Sequence, residues 1–377
     1  NGDHQGSGRV GGDGVMAKLG EVCIQITDGS HNPPSGVEQS EYLMLSSKNI
    51  DDDFITLDSP RFLSHSDYIA ENKRTTVSEG DLLMTIVGTI GRVAIVPEEL
   101  KGICLQRSVA VIKPEREVVN NRYLMYQLQN MRPFLEKEAR GVAQKGIYLK
   151  QVSQLDIKLP ELEHQMQIVK VLDKASKLIF LRRQQLAKLD ELVKARFVEM
   201  FGDPIRNDKH FVQKTGKSLF CFSSGKFLQE EKRFQHGFPV YGGNGITWYT
   251  DIPLVKKPTI IIGRVGAYCG NVRMVNVPVW ITDNAIYIKE FKTRELNLHF
   301  LLMLMKYMKF SNYADYSGQP KITQKPLETL IYIVPPLELQ NQFAAFVERV
   351  DQQKQTVQQS LEKLELMKKA LMQEYFG

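Results

Sequence analysis

Residues 155–202 read LDIKLPELEHQMQIVKVLDKASKLIFLRRQQLAKLDELVKARFVEMFG, and residues 330–377 read LIYIVPPLELQNQFAAFVERVDQQKQTVQQSLEKLELMKKALMQEYFG. The two stretches align without a gap at a shift of about 175 residues, which indicates an internal duplication. We therefore predict two halves that are related by a pseudo-twofold axis. The aligned identities include Pro160/Pro335, Leu162/Leu337, Gln165/Gln340, Leu186/Leu361, Lys194/Lys369, Phe201/Phe376 and Gly202/Gly377.

Each repeated stretch predicts a long helix that opens at a proline, Pro160 in the first half and Pro335-Pro336 in the second. Apolar residues then recur at steps of three and four, the spacing of a coiled-coil seam, except where Arg182 and Lys354 take the place of an apolar residue. A helix of about 35 residues spans about 50 Å, which is too long to bury on one small domain. We expect the two helices to pair with each other, antiparallel. The predicted seam residues are Ile168, Leu172, Ala175, Ile179, Leu186, Leu189, Val193 and Met200, then Phe343, Val347, Val350, Val357, Leu361, Leu364 and Leu371.

The sequence before each long helix predicts short strands followed by a shorter helix, and so an α+β domain in each half. The repeat continues faintly here, because IVGTIG at 86–91 aligns with IIGRVG at 261–266. The predicted strands are 41–47, 81–87, 92–97 and 102–114 in half one, and 258–262, 270–275 and 279–289 in half two. The predicted helices are 120–139 and 296–313.

The fold class is thus α+β, with two α/β domains in a tandem pseudo-twofold repeat, separated by two long antiparallel coiled-coil helices. The glycine-rich start of the chain lacks apolar periodicity and is interpreted as a flexible leader or a cloning remnant. The predicted segments are the leader at 1–15, a first domain at 16–160, a central spacer helix at 161–202, a second domain at 203–336 and a C-terminal spacer helix at 337–377.

Composition narrows the class of protein. The 377 residues are 42% hydrophobic and carry a net charge of +6, an ordinary globular balance that permits a nucleic-acid partner without requiring one. No apolar stretch is long enough for a membrane span, and no secretory signal is present, so we expect a cytoplasmic protein with no membrane partner. The four cysteines, Cys23, Cys104, Cys221 and Cys269, form no C-x-x-C pair, which argues against disulfides and zinc fingers.

Motifs of catalysis are missing from the sequence. It contains no P-loop, no H-E-x-x-H and no G-x-S-x-G, and its seven histidines are scattered. Asn32-Pro33-Pro34 resembles the N-P-P-[FY] motif of amino-methyltransferases, but Ser35 follows it and no glycine-rich cofactor loop precedes it. We therefore predict a loop there, no catalytic residue and no metal site. The G-x-x-G strings at 88–91 and 263–266 follow apolar runs and predict strand–turn structure.

Polar, basic and aromatic residues on glycine-rich loops are the candidates for DNA contact. Such side chains can reach phosphates and base edges from turns that follow strands. The same residue types are about equally expected in ordinary solvent-exposed turns that bind nothing. The paired architecture of two domains and two helices is what favours the DNA interpretation. The candidates are Thr27, Asp28, Ser30, His31, Lys48, Asn49, Thr89, Arg92, Arg107 and Lys145 in half one, and Tyr241, Gly243, Asn244, Tyr249, Arg264, Tyr268 and Lys321 in half two.

From residue 16 to residue 377 the chain resembles the DNA-specificity (S) subunit of type I restriction-modification systems. The resemblance rests on the repeated layout of a domain followed by a P-L-x-x-Q-type helix, PELEHQMQI at 160–168 and PPLELQNQF at 335–343. Supporting strings are ITDGSH at 26–31, YGGNGI at 241–246, TDNAI at 282–286 and FGDP at 201–204. The usual family form has Glu before the helix Gln, and His164 and Leu339 depart from it.

The resemblance implies two target-recognition domains, each reading one half of a bipartite, asymmetric site in double-stranded DNA. It implies that the helices act as a spacer and as the docking surface for two methyltransferase (modification) subunits, with restriction subunits outside. Cofactors would be absent from this chain, with S-adenosylmethionine on the methyltransferase and ATP and magnesium on another partner. The alternatives are a specificity subunit of a type IIB restriction enzyme, a methyltransferase–reader fusion and a purely structural coiled-coil scaffold.

Overall fold

A computed structural model describes residues 15–73, 75–139 and 146–377 of the chain. These residues form two compact units. Unit 1 comprises the described residues up to Leu181 together with Leu361–Gly377, and unit 2 comprises Arg182–Ser360. Each unit therefore contains a globular domain and a part of both long helices. Across the described ranges, no helix is both long and apolar enough to cross a bilayer.

Unit 1 is built from short strands and short helices that precede the first long helix. The strands are β1 (Val15–Lys18), β2 (Cys23–Asp28), β3 (Tyr42–Leu45), β4 (Arg61–Leu63), β5 (Leu82–Thr85), β6 (Val93–Ile95), β7 (Ile103–Leu105), β8 (Val109–Pro114) and β9 (Asp156–Leu159). The helices are α1 (His65–Asn72), α2 (Asn121–Asn130), α3 (Arg132–Glu138), α4 (Leu149–Ser153) and the long α5 (Leu162–Phe201).

Unit 1 is layered around a four-stranded sheet of order β2-β8-β5-β6. Its central strands β5 and β8 are buried on both faces, so their sequences are mostly apolar rather than alternating, whereas the edge strand β2 is partly exposed. In β5, Leu82 and Met84 pack with α2 and the long helices, whereas Leu83 packs with the three-stranded sheet β4-β3-β7. In that second sheet β3 and β7 are parallel, and a separate ribbon joins β1 to β9.

Unit 2 repeats this plan with different side chains. The strands are β10 (Val212–Thr215), β11 (Phe220–Ser224), β12 (Phe238–Gly242), β13 (Gly245–Thr250), β14 (Thr259–Gly263), β15 (Val272–Val275), β16 (Trp280–Ile281), β17 (Ala285–Phe291) and β18 (Ile331–Val334). The helices are α6 (Gly216–Leu219), α7 (Leu298–Tyr307), α8 (Gln324–Thr329) and the long α9 (Leu337–Phe376).

The strand orders of the two units correspond one to one. Unit 2 has a four-stranded sheet β11-β17-β14-β15, a three-stranded sheet β13-β12-β16 with β12 and β16 parallel, and a ribbon β10-β18. The layers correspond as well, since Ile260 and Ile262 face the helical core while Ile261 faces the second sheet. The predicted duplication is therefore confirmed in three dimensions, including the segments whose sequences diverge.

A buried glutamine ties each long helix to its domain. Gln165 Oε1 accepts a hydrogen bond from the Asn120 backbone N–H at 2.8 Å, and its Nε2 donates to the Pro160 carbonyl at 2.8 Å. Gln340 makes the same pair of bonds, to the N–H of Asn297 at 2.9 Å and to the carbonyl of Pro335 at 2.7 Å. Both glutamines are fully buried, so these bonds satisfy groups that water cannot reach. This clamp explains why the Pro-x-x-x-x-Gln spacing recurs.

The long helices pack as the predicted seam requires, within each unit. In unit 2 the end of α5 contacts the start of α9, since the rings of Phe197 and Phe343 lie 5.6 Å apart and Lys354 Nζ lies 2.5 Å from Asp190 Oδ1. The two segments are therefore antiparallel there. In unit 1, Leu172 of α5 shares a core with the end of α9. Each helix has 40 residues, or about 60 Å, slightly longer than predicted.

Three predicted boundaries were wrong for local reasons. The predicted helix 120–139 is divided into α2 and α3, because Pro133 cannot donate a helical hydrogen bond and sits instead in the first turn of α3. The predicted helix 296–313 ends as α7 at Tyr307, and Lys309 adopts a left-handed φ of 47° before a short 3-10 turn. Val15, placed in the leader by sequence, pairs with Leu159 in the β1–β9 ribbon.

Two predicted strands are each a pair of strands joined by a turn. Residues 102–114 form β7 and β8, and residues 279–289 fall within β16 and β17. The first member of each pair joins the three-stranded sheet and the second joins the four-stranded sheet. Polar residues mark each of these turns in the sequence, QRS at 106–108 and TDN at 282–284, so the break was visible there, whereas the change of sheet depends on tertiary pairing.

Candidate nucleic-acid interface

Three loops of unit 1 meet where β2, β3 and β7 end, and we call residues 28–31, 46–49 and 106–108 the unit 1 loop cluster. The turn after β2 is fixed by Ser30, whose N–H donates to the Leu105 carbonyl at 2.7 Å. Gly29 permits this approach, because a Cβ there would lie 2.1 Å from the carbonyl oxygen of Leu105. The loop after β3 joins the other two where the Ser47 N–H donates to Ser108 Oγ at 3.0 Å.

The unit 1 loop cluster presents basic and polar side chains to solvent. Lys48 and Arg107 are exposed, and the backbone of Arg107 is held by an N–H bond of 2.9 Å to the Ser30 carbonyl. The imidazole of His31 is about half exposed, and its Nε2 lies 2.8 Å from Asp28 Oδ2. Cationic side chains on a rigid backbone are suited to phosphate contacts, and a His–Asp pair can offer hydrogen bonds to base edges.

Three candidates of half one are buried rather than exposed. Thr27 and Asp28 are buried at the end of β2. Asn49 is also buried, and its Nδ2 donates to the carbonyls of Thr56 and Asp58 at 3.2 and 3.0 Å. These three side chains therefore shape the loop cluster from inside. Lys145, the last candidate of this half, lies outside the described residues.

The G-x-x-G turn of unit 1 connects β5 to β6, as the strand–turn prediction stated. Gly88 and Gly91 have φ values of 84° and 77°, a left-handed backbone that disfavours other residues. Thr89 is exposed on this turn, and with Arg92 and Arg132 it lines an open cavity of 430 Å³. The turn thus places two guanidinium groups beside one polar pocket.

The matching turn of unit 2 brings Arg264 and Lys321 next to each other. The Arg264 N–H donates to the Asn284 carbonyl at 2.9 Å, and its Nη1 donates to the Asp283 carbonyl at 3.2 Å. Its own carbonyl accepts from the N–H of Ile322 at 2.9 Å, and the neighbouring Lys321 side chain is exposed. Residues separated by more than fifty positions therefore form one basic site.

Packing beneath the unit 2 turn keeps it in place. A Cβ on Gly263 would lie 2.2 Å from the Tyr268 carbonyl oxygen, so only glycine fits there. Cys269 Sγ donates to the Arg264 carbonyl at 3.4 Å. Burial raises the pKa of the Cys269 thiol, which therefore stays protonated and keeps this hydrogen bond at neutral pH.

The remaining candidates of half two lie on the hairpin of β12 and β13. Gly243 and Asn244 form its two-residue turn, and the exposed Asn244 is held where its carbonyl accepts from Arg273 Nη2 at 2.7 Å. Tyr241 and Tyr249 are half-buried in the two strands. The hairpin therefore offers one exposed amide at its tip.

A cavity of 440 Å³ lies between this hairpin and the turn that ends in Tyr268. Its aromatic walls are Phe227, Trp248 and Tyr268, of which the sequence analysis predicted only Tyr268. Arg233 packs on two of these rings, with its guanidinium carbon 5.7 Å from the Phe227 ring centre and 5.9 Å from that of Trp248. No sequence signal joins Trp248 to Phe227, because the two residues lie in separate segments of the chain.

In each unit, then, strand ends carry exposed basic and polar loops on a rigid scaffold. The described ranges contain no group of three or more His, Cys, Asp and Glu side chains that could hold a metal ion. Exposed arginine, lysine, amide and aromatic groups bind the phosphates and bases of nucleic acid. The fold and its loops define a protein with tandem recognition domains on paired helices.

Comparison with known families agrees with this class. The model of the type I restriction modification DNA specificity domain matches the chain twice, at residues 42–191 and 211–366. The two matches cover most of the chain and one copy falls in each half. The chain belongs to this family, and its function is that of a DNA-specificity subunit of a type I restriction-modification system.

Individual relatives are similar over different lengths. The EcoprrI specificity subunit of Escherichia coli is 30% identical over 122 residues, which cover 32% of this chain and 30% of that protein. The putative MjaX specificity subunit of Methanocaldococcus jannaschii is 25% identical over 350 residues, covering 81% of this chain and 80% of that protein.

Solved structures share the fold. The S subunit from M. genitalium matches with a TM-score of 0.62 and 18% identity, over 98% of both chains. A chain from a study of complex assembly and conformational transition of the type I restriction-modification system matches with a TM-score of 0.55, also at 18% identity. The predicted fold class is thus confirmed.

Proposed function

We propose that each unit reads one half of a bipartite, asymmetric site in double-stranded DNA. The observation that carries this proposal is the contrast within the repeat. The two units share strand order and helix clamp, but their loops carry different side chains, which suits two different half-sites. In unit 1 the reading surface is the loop cluster with Arg92, and in unit 2 it is the basic turn with Arg264, Lys321 and Asn244.

Exchange of one domain tests this proposal. Residues 16–159 are replaced by the matching domain of a related subunit, and the methylated motif is then read by sequencing the DNA of a host that carries the chimaera and the methyltransferase. We expect one half of the motif to change and the other to persist. The reciprocal exchange of residues 203–334 is the matched control and should alter the other half. A change in both halves from one exchange would refute independent reading.

The long helices are proposed to dock methyltransferase subunits. Unit 2 has an open groove of 900 Å³ along α5 and α9 that combines apolar and basic side chains. The Arg196 guanidinium carbon lies 5.9 Å from the Phe346 ring centre, and Arg349 lines the same groove. Because the repeat places similar helix segments in unit 1, we propose a second equivalent site there, and so two methyltransferase subunits.

Co-purification tests the docking groove. Arg349→Glu combined with Phe346→Ala should sharply lower recovery of the methyltransferase with the tagged chain, because charge and apolar surface are both removed. Glu348→Lys alters an exposed neighbour outside the groove and serves as the control. Equal recovery with the double variant and with the control would contradict docking at this groove.

We assign methyl transfer and DNA cleavage to partner subunits. We propose that the chain itself is not catalytic, that methyl transfer uses S-adenosylmethionine on the methyltransferase, and that cleavage uses ATP and magnesium on restriction subunits, all in the cytoplasm. The absence of cofactor motifs from the sequence supports this. Turnover of labelled S-adenosylmethionine by the purified chain alone would overturn it.

A further inference from the structure

Phe227 and Trp248, two of the three aromatic walls of the unit 2 cavity, have no role in the contacts proposed so far. Phe227, Trp248 and Tyr268 line the cavity and expose 66%, 49% and 48% of their surface. Large aromatic side chains this exposed around one concavity mark a binding site rather than a packing surface. The cavity volume of 440 Å³ is in the range of small-molecule sites.

The aromatic walls are held in place before any ligand binds. Arg233 packs against the rings of Phe227 and Trp248, and its own position is fixed because Nη2 donates to the Leu228 carbonyl at 2.9 Å. The strand pairing of β12 and β13 fixes the backbone of Trp248 opposite Val240. A pre-arranged pair of aromatic faces costs little ordering entropy on binding.

The floor of the cavity is polar and contains a hydroxyl group whose hydrogen-bonding capacity is unsatisfied. Thr282 lines it, and the buried Oγ1 of Thr282 has no hydrogen-bond partner among the residues that the structure describes. The backbone of Thr282 is held in place, because its N–H donates to the Tyr241 carbonyl at 2.9 Å. A buried hydroxyl without a partner is costly, so the site is suited to a ligand that brings a polar edge. Asn244 and Asp283 add an amide and a carboxylate at the rim.

A ligand that fits these walls is flat, apolar on its faces and polar at its edge. A nucleobase has this chemistry, and the cavity adjoins the DNA-reading turns, since Gly266 and Tyr268 line it two and four residues after Arg264. We propose that the cavity accepts one nucleobase that has left the base stack of the DNA held by unit 2. The base stacks on the aromatic walls and its edge bonds to Thr282 Oγ1. This inference rests on the proposed function, that unit 2 reads DNA.

Stacking in the cavity can offset the cost of extracting a base, which is smallest when the base is mispaired. Stacking on an aromatic side chain strengthens binding about 5- to 100-fold per base, and a satisfied hydroxyl adds to this gain. The cavity would therefore contribute specificity at one position of the half-site, where the extracted base must fit.

The test uses the full chain, co-expressed with its methyltransferase, and duplexes that carry the motif identified by sequencing. A mismatch is introduced at each position of the unit 2 half-site in turn, and affinity is measured by fluorescence anisotropy. At one position we expect a mismatch opposite the extracted base to strengthen binding about tenfold, because the pairing cost is removed. At that position 2-aminopurine should report an unstacked base by its changed fluorescence.

Variants connect that signal to the cavity. Trp248→Ala should weaken binding of the matched duplex about 5- to 100-fold and abolish the gain from the mismatch. Thr282→Val keeps the side-chain shape, so it should fold normally and weaken binding several-fold. Tyr316→Ala is the control, because Tyr316 is also an exposed aromatic residue of unit 2, at 61% against 49% for Trp248, but is not among the residues that line the cavity.

The outcomes separate this inference from the proposed function. If the wild-type chain binds the motif but no position responds to a mismatch, or if Trp248→Ala behaves like Tyr316→Ala, the base-binding cavity is wrong while DNA reading stands. Loss of partner recovery with Trp248→Ala, at unchanged DNA affinity, would assign the cavity to a protein and also overturn it. If domain exchange leaves the motif unchanged, both proposals fail.

Discussion

The two units share one architecture but differ in the sheet that carries the reading loops. In unit 2, β12 and β13 join through the two-residue turn Gly243-Asn244. In unit 1 the corresponding strands β3 and β4 are separated by a long connection that the buried Asn49 holds, and α1 follows β4.

The four-stranded sheets and the helix clamps, by contrast, correspond closely. Their residues form the large cores shared with the long helices, where a change in volume or in a buried hydrogen bond is costly. The three-stranded sheets pack in smaller cores and are covered differently, since α1 lies on the second face of the unit 1 sheet, where Met44, Leu63 and Cys104 are buried. The two units therefore differ most in the sheets that lie away from the long helices, and packing against the helices limits the differences elsewhere.

The largest expected effect compares the two helix–domain junctions. Phe201 is fully buried, with its ring 4.7 Å from Phe300 and 5.6 Å from Phe343, whereas the equivalent Phe376 is less buried and lies 5.3 Å from Tyr123. We expect Phe201→Ala to lower the free energy of unfolding by about 4 kcal/mol and Phe376→Ala by about 2–3 kcal/mol.

Urea unfolding followed by circular dichroism measures both values. Phe180→Ala, at an exposed position of α5, should change stability by less than about 0.5 kcal/mol and serves as the control. Equal losses of unfolding free energy for the Phe201 and Phe376 variants would show that the additional aromatic contacts in unit 2 do not stabilise its junction more than that of unit 1.

The next expected effect is that of the buried glutamine clamp, the feature that the two units share most closely. Gln165→Leu and Gln340→Leu each remove the side chain that satisfies a buried N–H and a buried carbonyl, so each should cost about 2–4 kcal/mol of unfolding free energy. Gln167→Leu and Gln342→Leu are matched controls, since these glutamines also repeat but are exposed. A large difference between the Gln165 and Gln340 variants would break the equivalence of the two clamps.

The reading loops should behave alike toward salt although their sequences differ. Arg107→Ala and Arg92→Ala in unit 1, and Arg264→Ala and Lys321→Ala in unit 2, should each lower the slope of log affinity against log salt by about one. The measurement is anisotropy of labelled duplex between low and physiological salt. Lys101→Ala and Lys257→Ala are exposed controls away from these loops. An unchanged slope for all four variants would identify them as ordinary solvated charges.

Features that depend on local pattern were predictable from the sequence. The long helices and the strands β5, β8, β14 and β17 were predictable because of their apolar patterns and because Gly or Pro stands at several of their boundaries. The polar residues 106–108 mark the break between β7 and β8, but the pairing of these strands in different sheets depends on tertiary contacts that no local pattern shows. The helix break at Pro133 was visible in the sequence but was overridden by the apolar spacing around it.

The residue types of the candidate site were predictable from the sequence, but the directions in which their side chains point were not. Thr27 and Asn49 were expected to face DNA, but Asn49 finds carbonyl partners at Thr56 and Asp58 that only the folded loop brings near. The aromatic cavity was missed because Phe227, Trp248 and Thr282 come from separate segments. Residue type indicates which chemistry is possible, and tertiary contacts decide which side chains remain free to perform it.

The smallest expected effect compares two ion pairs, one in each unit, and asks whether interatomic distance or burial determines the coupling energy. Lys354 and Asp190 in unit 2 are closer, at 2.5 Å, but the Asp190 side chain is 62% exposed. Lys368 and Asp53 in unit 1 are 3.3 Å apart, yet their side chains are only 20% and 30% exposed, and Lys368 also lies 5.2 Å from the Tyr126 ring centre.

Solvent screens the exposed pair, so its coupling energy should be only about 0.2–0.5 kcal/mol, whereas the more buried pair should reach about 1 kcal/mol. Double-mutant cycles with Lys354→Met and Asp190→Asn, and with Lys368→Met and Asp53→Asn, measure these energies, and raising the salt concentration should reduce the first more than the second. Stronger coupling in the Lys354–Asp190 pair would mean that atomic distance outweighs burial at these junctions. In that case the short contact, rather than the drier environment, would stabilise the packing of the helices.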